Sequence, residues 1–415
     1  MRQKIGIKQG KGDERLNEAL IASAWEKFLQ FSPGTIDNVE VFFAPGRVNL
    51  IGEHTDYNGG FVFPAALTLG TVVMVRPRKD NLLRFSSISF EPIIEVPVGA
   101  LRYHAEYDFA NYPLGMLWAL EKVGVPILGA DYFFANDLPS GAGLSSSASI
   151  EVGTGVAATT IARVTMDRVE LVKLAQKAEN DFVGVNCGIM DQFAVGMGEA
   201  DHAILLDCNR LDYTLVPFVA SSYRLVITNT NKRRELADSK YNERRAQCEE
   251  GLTALQRVVP DITYLAQLTP QQLAGVDSVI ADPVIKKRVR HVVTEHDRTK
   301  RSVALLRDDN FAAFGQLMNE SHMSLRDDYE VTGRELDALV HAAWTVQGCL
   351  GSRMTGAGFG GCTVSLVEEH ALQEFMQVVG EMYRKETGLT ASFYTSSLGD
   401  GAKKITKEAM ALCRF

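Results

Sequence analysis

A chain of 415 residues that is 46% hydrophobic can bury a sizeable core, and its length suggests two or three domains. A net charge of −8 with interspersed signs argues against nucleic acid or an anionic membrane as the main partner. The six cysteines show no Cys-x-x-Cys pair and no metal-ligand spacing with histidine, so they read as reduced thiols of a cytoplasmic protein. Met1 to Arg15 is polar and lacks the apolar run of a signal peptide. The longest apolar run, Phe61 to Val75, is too short and too interrupted to span a bilayer.

Leu16, Leu20, Ala24 and Phe28 share one face of an opening amphipathic helix. Val39, Val41 and Phe43 then alternate as a strand, expected to end at Pro45-Gly46. The next stretch, Gly46 to Gly60, sets Arg47, Glu53, His54 and Asp56 between glycines. Such a turn is either a solvated loop or a polar site for a hydroxyl-rich ligand. Farther on, Ala130 to Asn136 is an aromatic-rich strand, and Ile150 to Val164 is a small, apolar helix packed close to its neighbours. Between them lies Leu138-Pro-Ser-Gly-Ala-Gly-Leu-Ser-Ser-Ser147. Glycines that let the backbone turn tightly, followed by the free N–H groups of a helix start, form a cradle for phosphate. A plain turn with Ser145 as helix cap is the alternative, but Ser146 and Ser147 have no such need and suit a phosphate with its magnesium ion. No Gly-Lys-Ser/Thr follows, so this is not a Walker A loop.

Asp167 with Glu170 forms a capping signal for a helix running to about Phe182. On it, Glu179 falls in an apolar stripe, where a carboxylate needs a partner or a cation. Asp191 follows in an otherwise apolar segment, Cys187 to Phe193. Strands at His202–Asp207, Leu211–Phe218 and Tyr223–Asn229 mark a domain change, giving lobes at 1–217 and 218–415. A helix over Asp238 to Val258 carries Tyr241. Helices then start at Thr269-Pro270, Asp282-Pro283, near Asn310 and at Thr332, and the charges from Lys286 to Arg301 read most simply as a solvated face. Strands at Leu350–Met354 and Cys362–Val367 flank a glycine loop, which is not a dinucleotide fingerprint because a strand follows it. An amphipathic helix, Leu372 to Tyr383, and a strand, Ser392 to Thr395, come last.

Gly46 to Tyr57 resembles the sugar-binding signature of galactokinases. Pro139 to Ser147 resembles the ATP-binding motif of the GHMP small-molecule kinases, and Met354-Thr-Gly-Ala-Gly-Phe-Gly-Gly-Cys362 resembles the third motif of that superfamily. They occur in the family's order, although 253–330 carries none. The resemblance implies an α+β fold of two mixed lobes, a ribosomal S5 domain 2-like N-terminal lobe and a ferredoxin-like C-terminal lobe, with the active site in the cleft between them.

It further implies ATP-dependent phosphorylation of galactose at the C1 hydroxyl. Asp191 and Arg47 would be catalytic. Glu53, His54, Thr55, Asp56, Gly188 and Tyr241 would meet the sugar. Ser87 and the loop Gly141, Ala142, Gly143, Leu144, Ser145, Ser146 and Ser147 would hold ATP, with Ser147 and Glu179 as Mg²⁺ ligands. Alternatives are a kinase for N-acetylgalactosamine, arabinose or galacturonate, and a non-catalytic galactose sensor. The sensor type lacks a dipeptide after the serine run, which is present here as Ala148-Ser149. Beyond sugar and ATP no nucleic acid or membrane partner is expected, and the protein would be a monomer or weak homo-oligomer.

Overall fold

The computed structural model describes residues 18–139, 142–219, 222–232 and 237–406. Its strands, in chain order, are β1 (Glu40–Asn49), β2 (Phe61–Val62), β3 (Pro64–Pro77), β4 (Leu82–Ser87), β5 (Ile94–Pro97), β6 (Ala130–Asn136) and β7 (His202–Asp207). They continue with β8 (Tyr213–Pro217), β9 (Tyr223–Asn229), β10 (Cys349–Thr355), β11 (Cys362–Glu368), β12 (Ser392–Ser396) and β13 (Lys403–Lys404). The helices are α1 (Glu18–Phe31), α2 (Asn111–Lys122), α3 (Ser146–Ile161), α4 (Arg168–Lys177), α5 (Met190–Met197) and α6 (Ala237–Leu255). After these come α7 (Pro270–Val276), α8 (Pro283–Arg307), α9 (Phe311–Ser324), α10 (Gly333–Trp344) and α11 (Leu372–Thr387).

The first lobe is built on a six-stranded sheet ordered β13-β1-β3-β6-β4-β5, antiparallel except where β4 runs parallel to β6. The sheet is covered on both faces at its centre, which is why β1, β3 and β6 bury nearly every side chain while the edge strand β5 alternates. Phe42, Ala44, Val73, Tyr132 and Phe134 pack toward α2 and α3, while Val41, Phe43, Val72, Met74 and Phe133 pack toward α1. The small residues of α3 have a steric reason: a Cβ on Gly153 would lie 3.0 Å from Val73, and one on Gly155 would lie 2.5 Å from Met116.

A four-stranded antiparallel sheet, β10-β11-β9-β12, forms the second lobe, with α10 and α11 buried against one face. A small third sheet pairs β2, β7 and β8. The segment without a motif, 253–330, is helical and shares a core with α6 and the start of α10. Among the described residues no helix is long and apolar enough to cross a membrane.

Three expectations need correction. Pro45-Gly46 does not end the first strand: β1 runs on to Asn49 across a register shift between Pro45 and Arg47. Gly46 is required there because a Cβ would meet the Leu138 side chain at 2.5 Å. The shift hands Arg47 to the glycine loop between β6 and α3, where its N–H donates to the Leu144 carbonyl at 3.1 Å. The charged stretch of α8 is a solvated face only in part: Arg290, Lys300 and Arg301 are exposed. Arg288, His291, Glu295 and Arg298 are buried and hydrogen-bonded, so charge in the sequence concealed an internal polar network. Finally, the chain past β12 does not stay in the second lobe, because Lys403 and Lys404 pair with Phe43 and Phe42 of β1.

Candidate active site

The loop from β6 into α3 is pinned from two sides. Gly143, with φ of 73°, has the left-handed backbone that glycine adopts without strain. Its carbonyl accepts from Arg47 Nη1 at 2.6 Å. A Cβ on Gly356 of the third glycine loop would lie 3.0 Å from the same carbonyl, so the two loops abut through glycine alone. Ala142 and Leu144 are buried, Ser146 is exposed and Ser147 is half-buried, while Gly141 lies outside the described residues.

Ser145 stands at the N-cap position of α3, but its hydroxyl does not cap the helix. Held at φ of 61°, it donates to Asp191 Oδ2 at 2.5 Å instead. Arg47 completes the couple with Nε on Asp191 Oδ1 at 2.7 Å and Nη2 on Oδ2 at 2.9 Å. A bidentate pair of this kind fixes direction as well as charge. The Arg47 side chain is 4% exposed and that of Asp191 29%, so the carboxylate alone opens to the cleft.

The turn after β1 gathers the sugar candidates. Buried Glu53 accepts from Arg353 Nη2 at 2.5 Å and from the Gly356 N–H at 2.8 Å. Burial raises its carboxyl despite Arg353. His54 sits at φ of 62° with Nδ1 2.8 Å from the Tyr57 hydroxyl and Nε2 3.2 Å from the Ala357 carbonyl. Burial, and then the neighbouring His291, lower it to about 3, so it is a neutral imidazole. Thr55 is fully enclosed, and its hydroxyl serves the carbonyls of Gly52 and Phe61. It shapes the turn rather than lining the cleft, which corrects its assignment to the sugar.

Asp56 is partly accessible, yet burial and then the charge of Asp191 push its carboxyl up to about 7. Gly188 is packed against it: a Cβ there would come within 1.7 Å of Asp56 Oδ2. Tyr241 joins from α6, its ring centred 5.6 Å from His54 and 5.4 Å from Tyr57. Tyr57 and Tyr329, which sequence reasoning did not single out, extend this aromatic wall through a 2.8 Å hydroxyl–hydroxyl bond.

Behind Asp191 lies a second acidic group. Glu179, in the π-type turn Ala178–Val183 that continues α4, hydrogen-bonds Ser147. Burial and then Asp191 raise it to about 7. Gln192 Nε2 donates to Glu179 Oε2 at 2.6 Å and to Glu151 Oε2 at 3.3 Å. Glu151 is fully buried, and burial and then Glu179 push it well above the usual carboxylate range. Neither Glu151 nor Gln192 was anticipated, although Gln192 follows Asp191 directly and Glu151 sits one turn past Ser147. Ser87 ends β4 opposite Phe134 of β6, and its hydroxyl accepts the Ser89 N–H at 3.2 Å.

The arrangement is therefore a glycine loop entering a helix, a guanidinium–carboxylate couple and a cluster of hydrogen-bonding side chains from the turn after β1 and from α6. Residues 26–77 match the galactokinase galactose-binding signature, 111–199 the GHMP kinase N-terminal domain and 302–385 the GHMP kinase C-terminal domain. A galactokinase of Fusobacterium nucleatum is 54% identical over 370 residues, covering 88% of this chain and 95% of the relative. A Bacillus subtilis galactokinase is 48% identical, covering 90% and 97%. The crystal structure of Lactococcus lactis galactokinase complexed with galactose superposes with a TM-score of 0.90 at 44% identity, over 93% of this chain and 100% of that one. The Methanococcus jannaschii mevalonate kinase, at 18% identity and a TM-score of 0.63, shares the fold. With the sugar signature on the turn after β1 and both GHMP domains in place, the chain belongs to the galactokinase family, sugar kinases that phosphorylate galactose with ATP.

Proposed function

We propose that the protein transfers the γ-phosphoryl group of ATP to the C1 hydroxyl of D-galactose, giving galactose 1-phosphate and ADP, with Asp191 and Arg47 at the reacting atoms. The observation that carries this is the Arg47–Asp191–Ser145 constellation beside the phosphate loop. Catalysis of phosphoryl transfer is mostly positioning and charge stabilisation. Asp191 is oriented by three donors, which leaves one lone pair, on Oδ1, for the C1 hydroxyl as positioner or proton acceptor. Arg47, bonded to the Gly143 carbonyl as well, offsets charge developing on the transferred group. Glu53, His54, Asp56, Gly188 and Tyr241 surround the hexose. A wrong epimer would leave one of their buried acceptors unpaired.

Ser147 and Glu179 form a donor set of one hydroxyl and one carboxylate at the mouth of the phosphate loop, with the buried Glu151 carboxyl hydrogen-bonded to Glu179 beside them. That hard-oxygen set fits Mg²⁺, an ion that shares its shell with phosphate and water and neutralises phosphate charge when bound. Glu179→Ala should raise the Mg²⁺ concentration giving half-maximal rate by about tenfold or more. An unchanged Mg²⁺ titration would remove Glu179 as a ligand.

The raised carboxyl of Asp56 sets a pH dependence. Only the carboxylate accepts two hydroxyl protons, and Asp56 takes up a proton below about 7. Thus kcat/KM for galactose should rise with pH and level off above about 7, because this ratio reports the free enzyme. Asp56→Asn should lose that rise; if it keeps the parent profile, another group titrates.

We take the lobes to divide near 217/218 and the reaction to be cytoplasmic, in keeping with five free thiols among the described cysteines. The test of function is ADP release with galactose, glucose, N-acetylgalactosamine and arabinose in parallel. Galactose should give the highest kcat/KM. Faster turnover of another sugar would reassign the substrate, and ATP binding without turnover of any would make the protein a sensor.

A further inference from the structure

We propose that Glu295 of α8 is a positioning residue for the sugar, holding the Gly52–Glu53 backbone so that Glu53, His54 and Asp56 face the hexose. This rests on the assignment of those three side chains to galactose.

Glu295 is fully buried in a segment that carries none of the family motifs. Its Oε1 accepts from the Gly52 N–H at 3.0 Å, the Glu53 N–H at 3.4 Å and the Ser321 hydroxyl at 2.6 Å, while Oε2 accepts from Arg298 Nε at 2.9 Å. One turn earlier, His291 Nε2 donates to the Glu53 carbonyl at 3.1 Å, with Ser324 Oγ 2.9 Å from its other ring nitrogen. One residue after Glu295, His296 Nδ1 accepts the Phe61 N–H at 3.1 Å. A single helix therefore grips both ends of the turn that carries His54 and Asp56.

The turn needs that grip. Gly52 and His54 both lie at positive φ, 96° and 62°, and for His54 this conformation is strained unless its surroundings enforce it. A Cβ on Gly52 would lie 2.9 Å from Thr299 Oγ1, so α8 packs directly on the bend. A buried carboxylate is costly, and an apolar side chain would pack a helix at least as well. Its hydrogen bonds to two amides of the sugar turn give the charge a purpose that packing does not.

The experiment compares the parent with Glu295→Gln and Ser321→Ala by calorimetric titration of galactose, by KM for galactose and ATP separately, and by thermal unfolding. Glu295→Gln should weaken galactose by about 10- to 100-fold while KM for ATP moves by less than about threefold. Ser321→Ala, which removes one donor to Glu295 and one acceptor of Arg353 Nε, should show the same galactose-only shift at about three- to tenfold. A folded Glu295→Gln protein that binds galactose within about twofold of the parent, or that loses galactose and ATP equally, overturns the proposal. If Glu295→Gln does not fold, an unchanged galactose affinity in Ser321→Ala overturns it. Asp56→Asn is run beside them. If it leaves galactose affinity intact, the sugar-site assignment fails; if it weakens galactose while Glu295→Gln does not, only the positioning role fails.

Discussion

Replacing Asp191 with Asn is expected to lower kcat by about 10²–10⁴-fold while ATP affinity stays within a few-fold of the parent. The size of the effect comes from how the carboxylate is held. Both oxygens are occupied, Oδ1 by Arg47 Nε and Oδ2 by Arg47 Nη2 and the Ser145 hydroxyl. An amide in its place turns one acceptor into a donor facing a guanidinium, so the bidentate couple is lost while Arg47 keeps its bond to the Gly143 carbonyl. Asp191→Ala should fail to the same degree, because what is lost is an oriented acceptor for the C1 hydroxyl. Steady-state rates with saturating galactose, together with nucleotide titration, check this. A variant keeping more than about a tenth of the activity would take Asp191 out of the chemistry.

The second large effect is on folding. Arg353 is wholly buried and spends its donors on Glu53 Oε2 at 2.5 Å, the Asn49 carbonyl at 2.8 Å and Ser321 Oγ at 3.2 Å. Arg353→Leu leaves the Glu53 carboxylate enclosed with the Gly356 N–H as its remaining donor and should cost about 3–5 kcal/mol, read as a lower denaturant midpoint. Removing both partners in Arg353→Leu/Glu53→Leu should recover part of that loss, since an unpaired buried charge costs more than an absent pair. Galactose binding should not recover with it. Full recovery of sugar affinity in the double variant would show that Glu53 does not serve the hexose. Arg353→Lys should not substitute, because one ammonium cannot reach three partners that lie around a planar fork.

What the sequence made legible was local. The glycine loops, the Thr269 and Asp282 helix starts and the shared face of Val41 and Phe43 each depend on a few adjacent residues, and each is present. The misread features depend on partners far away. Pro45-Gly46 looks like a terminator until Leu138 and Leu144 are seen to press a bulge into β1. Ser145 looks like a cap until Asp191, 46 residues on, draws its hydroxyl away. Arg288 and Glu295 look solvated because nothing nearby in the chain announces the Gln247 side chain and the Glu330 carboxylate that accept from Arg288, or the Gly52 amide that donates to Glu295. Patterning reads a charge as an outward direction, and only the tertiary neighbour reverses that.

The pairing of β13 with β1 bears on how the molecule is made. During synthesis the outer edge of the first sheet emerges early, while the short lysine strand that covers it emerges after almost all the rest. Until then β1 offers unpaired amides and carbonyls to any extended segment nearby. Closing so distant a contact is slow. A nascent or truncated chain ending before Lys403 would thus be the species most in need of a chaperone.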